Sequence, residues 1–500
     1  MLDGIVVGLG ALLQPANLVF TFLGTLGGIL IGALPGLSST MGVALLIPVT
    51  FSMNPATGLA MLGGVYCGSV YGGSITAILL RTPGTSASVA TTFDGFELTK
   101  QGLGGKAIGV STLGSTVGGL FSALALLFLA PPLAAASLRF GPPEYFLLAV
   151  FGLTIIVTIS ANNLGKGLIS GAFAFLLGTV GMDPVSGWPR FTFGYSELLD
   201  GVPLLPALIG LFSMSQAIKL AGERLTLPEA GSIKDRVMPT WTETRKNLVT
   251  YLRSSVIGTF IGIIPGAGTD IASFVAYNEA KRFAKKPEEF GKGAIEGVAA
   301  SEAANNAVTG GSLIPLLTLG IPGNAVSAVF LGGLTIHGLL PGASLFTERA
   351  EVTYTLILSL FAANLFMLVV GFLGAGPVSK VTKVSNQILA PMIVVLSVIG
   401  SYAMRNNMFD VYLMLFFGVV GYFLERYDYP LAPMVLGIIL GPMAEGEFRR
   451  SMMMFQGSFL PFLTRPISVV LILLIIAALV IPLVRVYKEV RSRGPVTLTQ

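Results

Sequence analysis

Two stretches join a proline–glycine step to a run of hydroxyls inside otherwise apolar sequence. They are Pro35-Gly36-Leu37-Ser38-Ser39-Thr40 and Pro265-Gly266-Ala267-Gly268-Thr269-Asp270. Proline removes an N–H and blocks a helical hydrogen bond, while glycine admits positive φ, so each step reads as a broken helix. The limb that follows such a break begins with free N–H groups, which favour an anion. Gly36, Ser38, Ser39 and Thr40 in the first stretch, and Gly266, Gly268 and Thr269 in the second, are therefore candidate contacts for a carboxylate substrate. Asp270 stands where the first stretch has Thr40 or Met41, and its carboxylate suits a cation. A second pair of breaks follows Gly-Gly-Ser and an apolar run: Arg81-Thr82-Pro83-Gly84-Thr85-Ser86 and Gly320-Ile321-Pro322-Gly323-Asn324. Thr85 and Asn324 are the candidate substrate contacts there. Arg81 either pairs with a substrate carboxylate or Asp94, or reaches the headgroups as an interfacial arginine.

Ser301-Glu302-Ala303-Ala304-Asn305-Asn306 lies just before the second Gly-Gly-Ser. Glu302 and Asn306, four apart, share one helix face. Carboxylate and amide oxygens suit a hard cation such as Na⁺, so Asn305 and Asn306 join Asp270 as candidate cation ligands. A polar interfacial face is the competing reading. Asp94, Glu144 and Asp183 read as structural residues of a turn, a helix start and a loop. His337 and Cys67 read as packing residues. The lone His337 and lone Cys67 exclude a multi-histidine metal site and an internal disulfide. No HExxH, G-x-S-x-G, Walker A or dinucleotide fingerprint is present, so neither an enzyme nor a bound cofactor is expected.

The elements that hold these residues lie in a membrane. Charged residues are 11% of the chain and hydrophobic residues 53%, with a mean hydropathy of +0.81. A soluble chain carries about 25% charge, so the sequence describes an all-α integral membrane protein embedded in a lipid bilayer. Continuous apolar runs, without period-two alternation, argue against a barrel. About 10–12 spans of near 20 residues are expected, together with re-entrant hairpins broken at Pro-Gly. Glycine, 63 of 500 residues, serves close helix contacts. The net charge of +5 reflects basic loops. No basic stretch is interleaved with aromatics, so no nucleic acid is expected. The first 80 residues carry Asp3 and no Lys or Arg, so no cleavable signal peptide is expected.

The sequence repeats. Gly28 to Gly36 matches Gly258 to Gly266 as G-x3-G-x2-P-G. Gly72 to Gly84 matches Gly310 to Gly323, and Pro203 to Gly210 matches Pro430 to Gly437 as P-x2-P-x3-G. Asn162-Asn163 and Asn406-Asn407 occupy comparable places. The expected organisation is a first repeat over 1–221, a polar cytoplasmic linker over 222–253, a second repeat over 254–465, and an added helix with a basic tail over 466–500. Basic residues Arg224, Lys234, Arg236, Arg245, Lys246 and Arg253 mark the linker as cytoplasmic. Lys281, Arg282, Lys285, Lys286 and Lys292 follow the second Pro-Gly stretch, so 253–280 enters and returns on limbs of about 12 residues. The first stretch has no basic flanks, which favours an inverted copy. Arg139, Lys380, Lys383, Arg449 and Arg450 leave a parallel arrangement open.

The runs GTLGGILIGALPGLSSTMGVALLIPVTF, YGGSITAILLRTPGTSASVATTFDG, GTFIGIIPGAGTDIASFVAYNEAKRF and GKGAIEGVAASEAANNAVTGGSLIPLLTLGIPGNAVSAVFLGGLTIHGLLPG resemble the large membrane subunit of tripartite tricarboxylate transporters, the TctA family. The resemblance covers nearly the whole chain. It implies a bacterial inner-membrane importer of citrate or other small carboxylates, driven by an ion gradient, usually Na⁺. It also implies two partners, a small four-helix membrane subunit and a periplasmic solute-binding protein. It assigns no site residues; those above come from the breaks themselves. A stand-alone ion-coupled carboxylate exporter or antiporter is the alternative. A passive channel fits occluding hairpins less well.

Overall fold

A computed structural model describes residues 1–159, 164–183, 185–222, 233, 235–266, 268–381 and 384–492. Asn162-Asn163, Pro184, Arg224, Lys234, Ala267, Lys383 and Arg493 lie outside the described residues.

The chain opens with α1 (Leu2–Leu12), α2 (Pro15–Gly32), α3 (Ser39–Thr50), α4 (Pro55–Leu80), α5 (Thr91–Lys100) and α6 (Gly104–Ser137). Next come α7 (Pro142–Ile159) and α8 (Leu164–Gly178), then a short antiparallel hairpin of β1 (Gly181–Met182) and β2 (Pro189–Arg190). α9 (Leu204–Leu208) passes through a π turn into α10 (Ser215–Gly222). The chain continues with α11 (Trp241–Ile263), α12 (Gly268–Phe283), α13 (Ile295–Leu319), α14 (Ala325–Ile336), α15 (Ala343–Thr347) and α16 (Ala350–Leu373). It closes with α17 (Ala375–Val381), α18 (Asn386–Arg405), α19 (Met408–Arg426), α20 (Leu431–Met454), α21 (Leu460–Thr464) and α22 (Pro466–Ser492).

Among the described residues eight helical stretches are long and apolar enough to cross a membrane: α2, α4, α6, Leu204–Gly222, α16, Gln387–Arg405, α19 and α20. Five shorter apolar helices accompany them. Leu124, Phe128 and Leu129 on α6 and Leu365 and Val369 on α16 face outward, which is the apolar surface a bilayer requires. The molecule is an all-α integral membrane protein.

Contacts divide the chain into two compact units. The first joins Met1–Ser137 to Pro203–Arg426, and the second joins Leu138–Val202 to Tyr427–Gln500. Each draws on both sequence halves, so the boundaries at 221, 253 and 465 do not coincide with those of the compact bodies.

In the first unit α4 is wholly buried. It meets α2 through small residues four apart on both helices. Gly24, Gly28 and Gly32 lie on the backbone of Met61, Val65 and Ser69, and Gly64, Gly68 and Gly72 lie on that of Thr21, Thr25 and Ile29. A methyl at any of these would strike backbone, so glycine sets the helix separation. α11 approaches α13 the same way, with Gly258 on Ala304 and Gly262 on Gly311. α13 in turn packs on α6, where Gly114 and Gly118 meet Ala299 and Ala303. In the second unit Gly437 of α20 lies on Ala174 and Phe175 of α8.

Both expected Pro-Gly breaks are present. α2 stops at Gly32 and α3 starts at Ser39, with Gly36 at φ +87. α11 stops at Ile263 and α12 starts at Gly268, with Gly266 at φ +79. The limbs are longer than the expected 12 residues. α11 runs for 23 because Thr240 and Glu243 form a capping box, starting the helix inside the polar 222–253 stretch. From Arg253, the last basic residue before the break, α11 continues to Ile263. That segment of α11 spans roughly 15 Å, about half of a ~30 Å core.

Candidate functional site

The break after α4 is set by Arg81, whose φ of 58 places it in the left-handed region and ends the helix. Gly84 returns an N–H to the Gly73 carbonyl at 3.2 Å and lies against Gly32 and Thr76. A single 3₁₀ turn, Ser86–Ser88, follows. Its side chains diverge. Thr85 and Ser88 turn back over Gly73, where both hydroxyls are buried and, among the described residues, without a hydrogen-bond partner. A methyl built on Gly73 would sit 2.9 Å from Ser88 Oγ and from the Thr85 amide nitrogen. The missing side chain thus lets two hydroxyls and an amide pack directly on the Gly73 backbone. Ser86 Oγ points the other way and donates to Asp270 Oδ1 at 3.4 Å. The Ala87 carbonyl accepts from Asn305 Nδ2 at 3.3 Å.

Asp270 is half-buried at the start of α12 and also accepts from Thr269 Oγ1 at 3.2 Å. Asn305 and Asn306 are fully buried on α13. Asn305 Nδ2 also donates to Glu302 Oε1 at 3.2 Å, and Asn306 Nδ2 donates to Asn305 Oδ1 at 3.0 Å. Glu302 accepts from Thr91, and from Ser115 at 3.1 Å. Glu302 therefore bonds Asn305 rather than the Asn306 that sequence spacing favours, because the Thr91 and Ser115 hydroxyls draw its carboxyl group toward α5 and α6.

The break after α13 is complete in itself. Gly320 takes φ +74, and the Gly323 carbonyl accepts from Gly266 N–H at 2.7 Å. Asn324 caps α14: Oδ1 accepts from Ser327 N–H at 2.8 Å, and Ser327 Oγ accepts from the Asn324 amide at 2.9 Å. Asn324 Nδ2 donates to the Tyr66 hydroxyl at 2.6 Å, which is hydrogen-bonded to Ser312 Oγ at 3.0 Å.

The structure thus gathers Thr85, Thr269, Asp270, Asn305 and Asn306 around one turn, and Gly266 with Asn324 at the adjoining tip. Gly268, at φ +57, begins α12 beside Asp270. Gly36, Ser38, Ser39 and Thr40 stand apart. Ser38 caps α3 by accepting from Met41 N–H at 3.1 Å, Ser39 Oγ is buried without a partner, and Thr40 is buried. Gly36 packs on Leu220 and Gln216 of α10. Among the described residues no hydrogen bond links this tip to the Asp270–Asn305 group.

The remaining polar residues hold the scaffold. Asp94 accepts from the N–H groups of Gly291, Gly293 and Ala294 at 2.8–2.9 Å and from the Tyr277 hydroxyl at 2.9 Å. Arg81 lies over the Phe96 ring, 6.0 Å from its centroid. Glu144 binds Arg465 at 2.6 Å and Ser468 at 2.7 Å. In the loop after α8 the backbone N–H groups of Ser186 and Val185, with Arg449 beside them, hold Asp183 down to about 2. His337 Nε2 lies 3.2 Å from Thr50 Oγ1. Among the described residues no three His, Cys, Asp or Glu side chains group as metal ligands. A cation at Asp270 would rely on that one carboxylate together with amide, hydroxyl and backbone oxygens.

Sequence reasoning missed Ser88, Ser86, Thr91, Ser115 and Asn364. For Asn364 a signal existed: one amide in the apolar run of α16 is costly unless it is used.

The chain matches the family described as "Tripartite tricarboxylate transporter TctA family" over residues 18–436. It is 38% identical over 496 residues to an uncharacterized 52.8 kDa protein in the TAR-I ttuC' 3' region of Agrobacterium vitis. That match covers 99% of this chain and 98% of the relative. A protein in the TAR-II ttuC' 3' region of the same organism is 40% identical over 211 residues, covering 42% of this chain and 87% of the relative. No solved structure matches. An all-helical membrane fold with broken helices, a family match across most of the chain and a full-length relative together assign this protein to the tripartite tricarboxylate transporter TctA family.

Proposed function

We propose that this chain is the permease subunit through which a small carboxylate of the citrate type enters across a bacterial inner membrane. A periplasmic solute-binding protein delivers the substrate, a small four-helix membrane subunit stands beside the permease, and a cation gradient, Na⁺ in this reading, drives import. One observation carries the proposal: the unpartnered Thr85 and Ser88 hydroxyls over Gly73, with Asp270 on the opposite side of the same turn. Two hydroxyls and a turn amide are donors suited to a carboxylate. Gly266, Gly268, Thr269 and Asn324 shape the neighbouring tip. Gly36, Ser38, Ser39 and Thr40, with the unpartnered Ser39 hydroxyl, form a second contact reached from the α10 side.

Asp270 supplies the coupling argument. A carboxylate held at Thr85 and Ser88 would be repelled by Asp270 across one turn of chain. Like charges a few ångströms apart at an effective dielectric of about 20 repel by roughly 2–4 kcal/mol. A cation bound by Asp270, Asn305 and Asn306 reverses that sign, so cation and anion bind together or weakly. The test is uptake by reconstituted protein with and without its binding protein, across a panel of carboxylates, with Na⁺ or K⁺ outside. Uptake of a tricarboxylate that requires both the binding protein and Na⁺ supports the reading. Uptake indifferent to both overturns it.

A further inference from the structure

A buried amide oxygen without a donor is uncommon in a folded protein. Among its described residues the first unit holds two, Asn306 Oδ1 on α13 and Asn364 Oδ1 on α16, and both side chains are fully buried. Their orientations are fixed by what the amide nitrogens do. Asn364 Nδ2 donates to the Leu360 carbonyl at 2.7 Å, which turns its oxygen away. Asn305 Nδ2 donates to Ala87 and Glu302, so Asn305 presents its oxygen to Asn306 Nδ2. Asn306 must then carry its own oxygen on the far side.

Both side chains border one stretch of α6. On α13, Ala303 lies against Gly118, and the Gly310 N–H donates to Ser122 Oγ at 3.2 Å. Asn306, three residues after the first and four before the second, falls on the same stripe. Gly119, between Gly118 and Ser122, lies against the Asn364 carboxamide. Cys67 of α4 bridges the two helices, with Sγ 3.8 Å from Asn364 Nδ2 and 3.9 Å from Thr309 Oγ1.

The donors nearby are spent. The Thr309 hydroxyl donates to the Asn306 carbonyl at 2.6 Å, and the Ser122 hydroxyl to the Gly119 carbonyl at 3.1 Å. A water here could donate to the amide oxygens but, of the groups named, would have only the weak Cys67 thiol to donate to it. A cation asks only for acceptors. We propose that Asn306 Oδ1 and Asn364 Oδ1 are ligands of one desolvated alkali cation, Na⁺ by its preference for hard oxygens, held between α4, α6, α13 and α16. Glu302, one turn earlier on α13 and joined to Asn305, supplies the negative charge a buried cation needs. The inference rests on the cation-coupled reading above and shifts its position: Asn306 turns its oxygen away from Asn305, so this cation is distinct from one held at Asp270.

The chain carries a single cysteine, and it lies at this spot, so the native thiol is the reporter. The full-length protein in lipid nanodiscs is treated with methyl methanethiosulfonate in NaCl, KCl or choline chloride, and the rate of Cys67 modification is followed by mass. Na⁺ at ten times its dissociation constant should slow modification by about tenfold relative to choline. Asn364→Ala and Asn306→Ala should each remove that protection. Asn364→Asp, which keeps an oxygen ligand, should retain it, guarding against an alanine variant that merely misfolds. If Na⁺ protects the wild type and both alanine variants equally, the site is wrong while cation coupling stands. If no alkali cation changes the wild-type rate, this site is wrong, and Na⁺-dependent uptake decides separately whether the coupled mechanism stands.

Discussion

The turn after α4 and the turn after α13 are built alike and finished differently. Each follows a Gly-Gly-Ser helix, ends it with a left-handed residue, passes Pro-Gly, and arrives at a polar side chain. At Asn324 every polar group is used: one oxygen caps α14, the amide nitrogen holds Tyr66, and the backbone N–H meets Ser327. At Thr85 the hydroxyl is buried with nothing to bond, and Ser88 beside it is in the same state. A saturated turn is a structural joint. An unsaturated one carries a desolvation cost of about 1–3 kcal/mol per group until something binds. Repetition of a motif therefore does not imply repetition of a task, and the first turn is the stronger place to look for substrate.

Substitutions can break this contrast. The largest effect is expected from Thr85→Val with Ser88→Ala. Losing two hydrogen bonds to a charged group, at about 1.5–3 kcal/mol each, should raise the half-saturating substrate concentration by on the order of 100-fold or more. The melting temperature should hold or rise, because the orphaned hydroxyls are gone. Uptake titrations beside thermal unfolding check both halves, and an unchanged titration places the substrate elsewhere. Asn324→Ala should do the reverse. It removes a helix cap worth about 1 kcal/mol and leaves the Tyr66 hydroxyl one partner short. Thermal stability should fall clearly, while half-saturation of the surviving protein moves less than about threefold. An Asn324→Ala protein that is stable but no longer saturable would show that both turns touch substrate. The smallest effects concern the left-handed residues. Arg81→Gly should stabilise by up to about 1 kcal/mol, reduced by loss of the Phe96 contact, and Gly320→Ala should destabilise by a similar amount. Paired unfolding curves would resolve the opposite signs.

Much of this fold was legible in the sequence. Charge depletion announced a membrane protein, and the Pro-Gly steps marked where α2 and α11 stop. Thr240-x-x-Glu243, a capping box inside the polar stretch, already encoded the early start of α11, but its basic residues drew attention to topology instead. In the site, Asp270 and Asn305 both meet the turn that follows Thr85, a juxtaposition their residue types did not announce. Ser38–Thr40 packs toward α10, since a repeated motif fixes local geometry and says nothing of which neighbour it meets. Ser115 escaped notice because a lone hydroxyl in a glycine-rich helix carries no pattern, and Ser88 because several hydroxyls crowd Thr85-Ser86-Ala87-Ser88 and the sequence does not say which is left without a partner. Their importance depends on which way the α4 turn points and how α6 crosses α13, and those are properties of packing.

Neither compact unit is continuous in sequence. α8 ends at Gly178, and the helix whose Gly437 completes its packing begins at Leu431. Translation at 5–20 residues per second puts roughly 13–50 s between them. For that interval the newly made α7–α8 pair is without α20, a helix on which both pack. During biogenesis this interval exposes it to membrane proteases and to premature association between nascent chains.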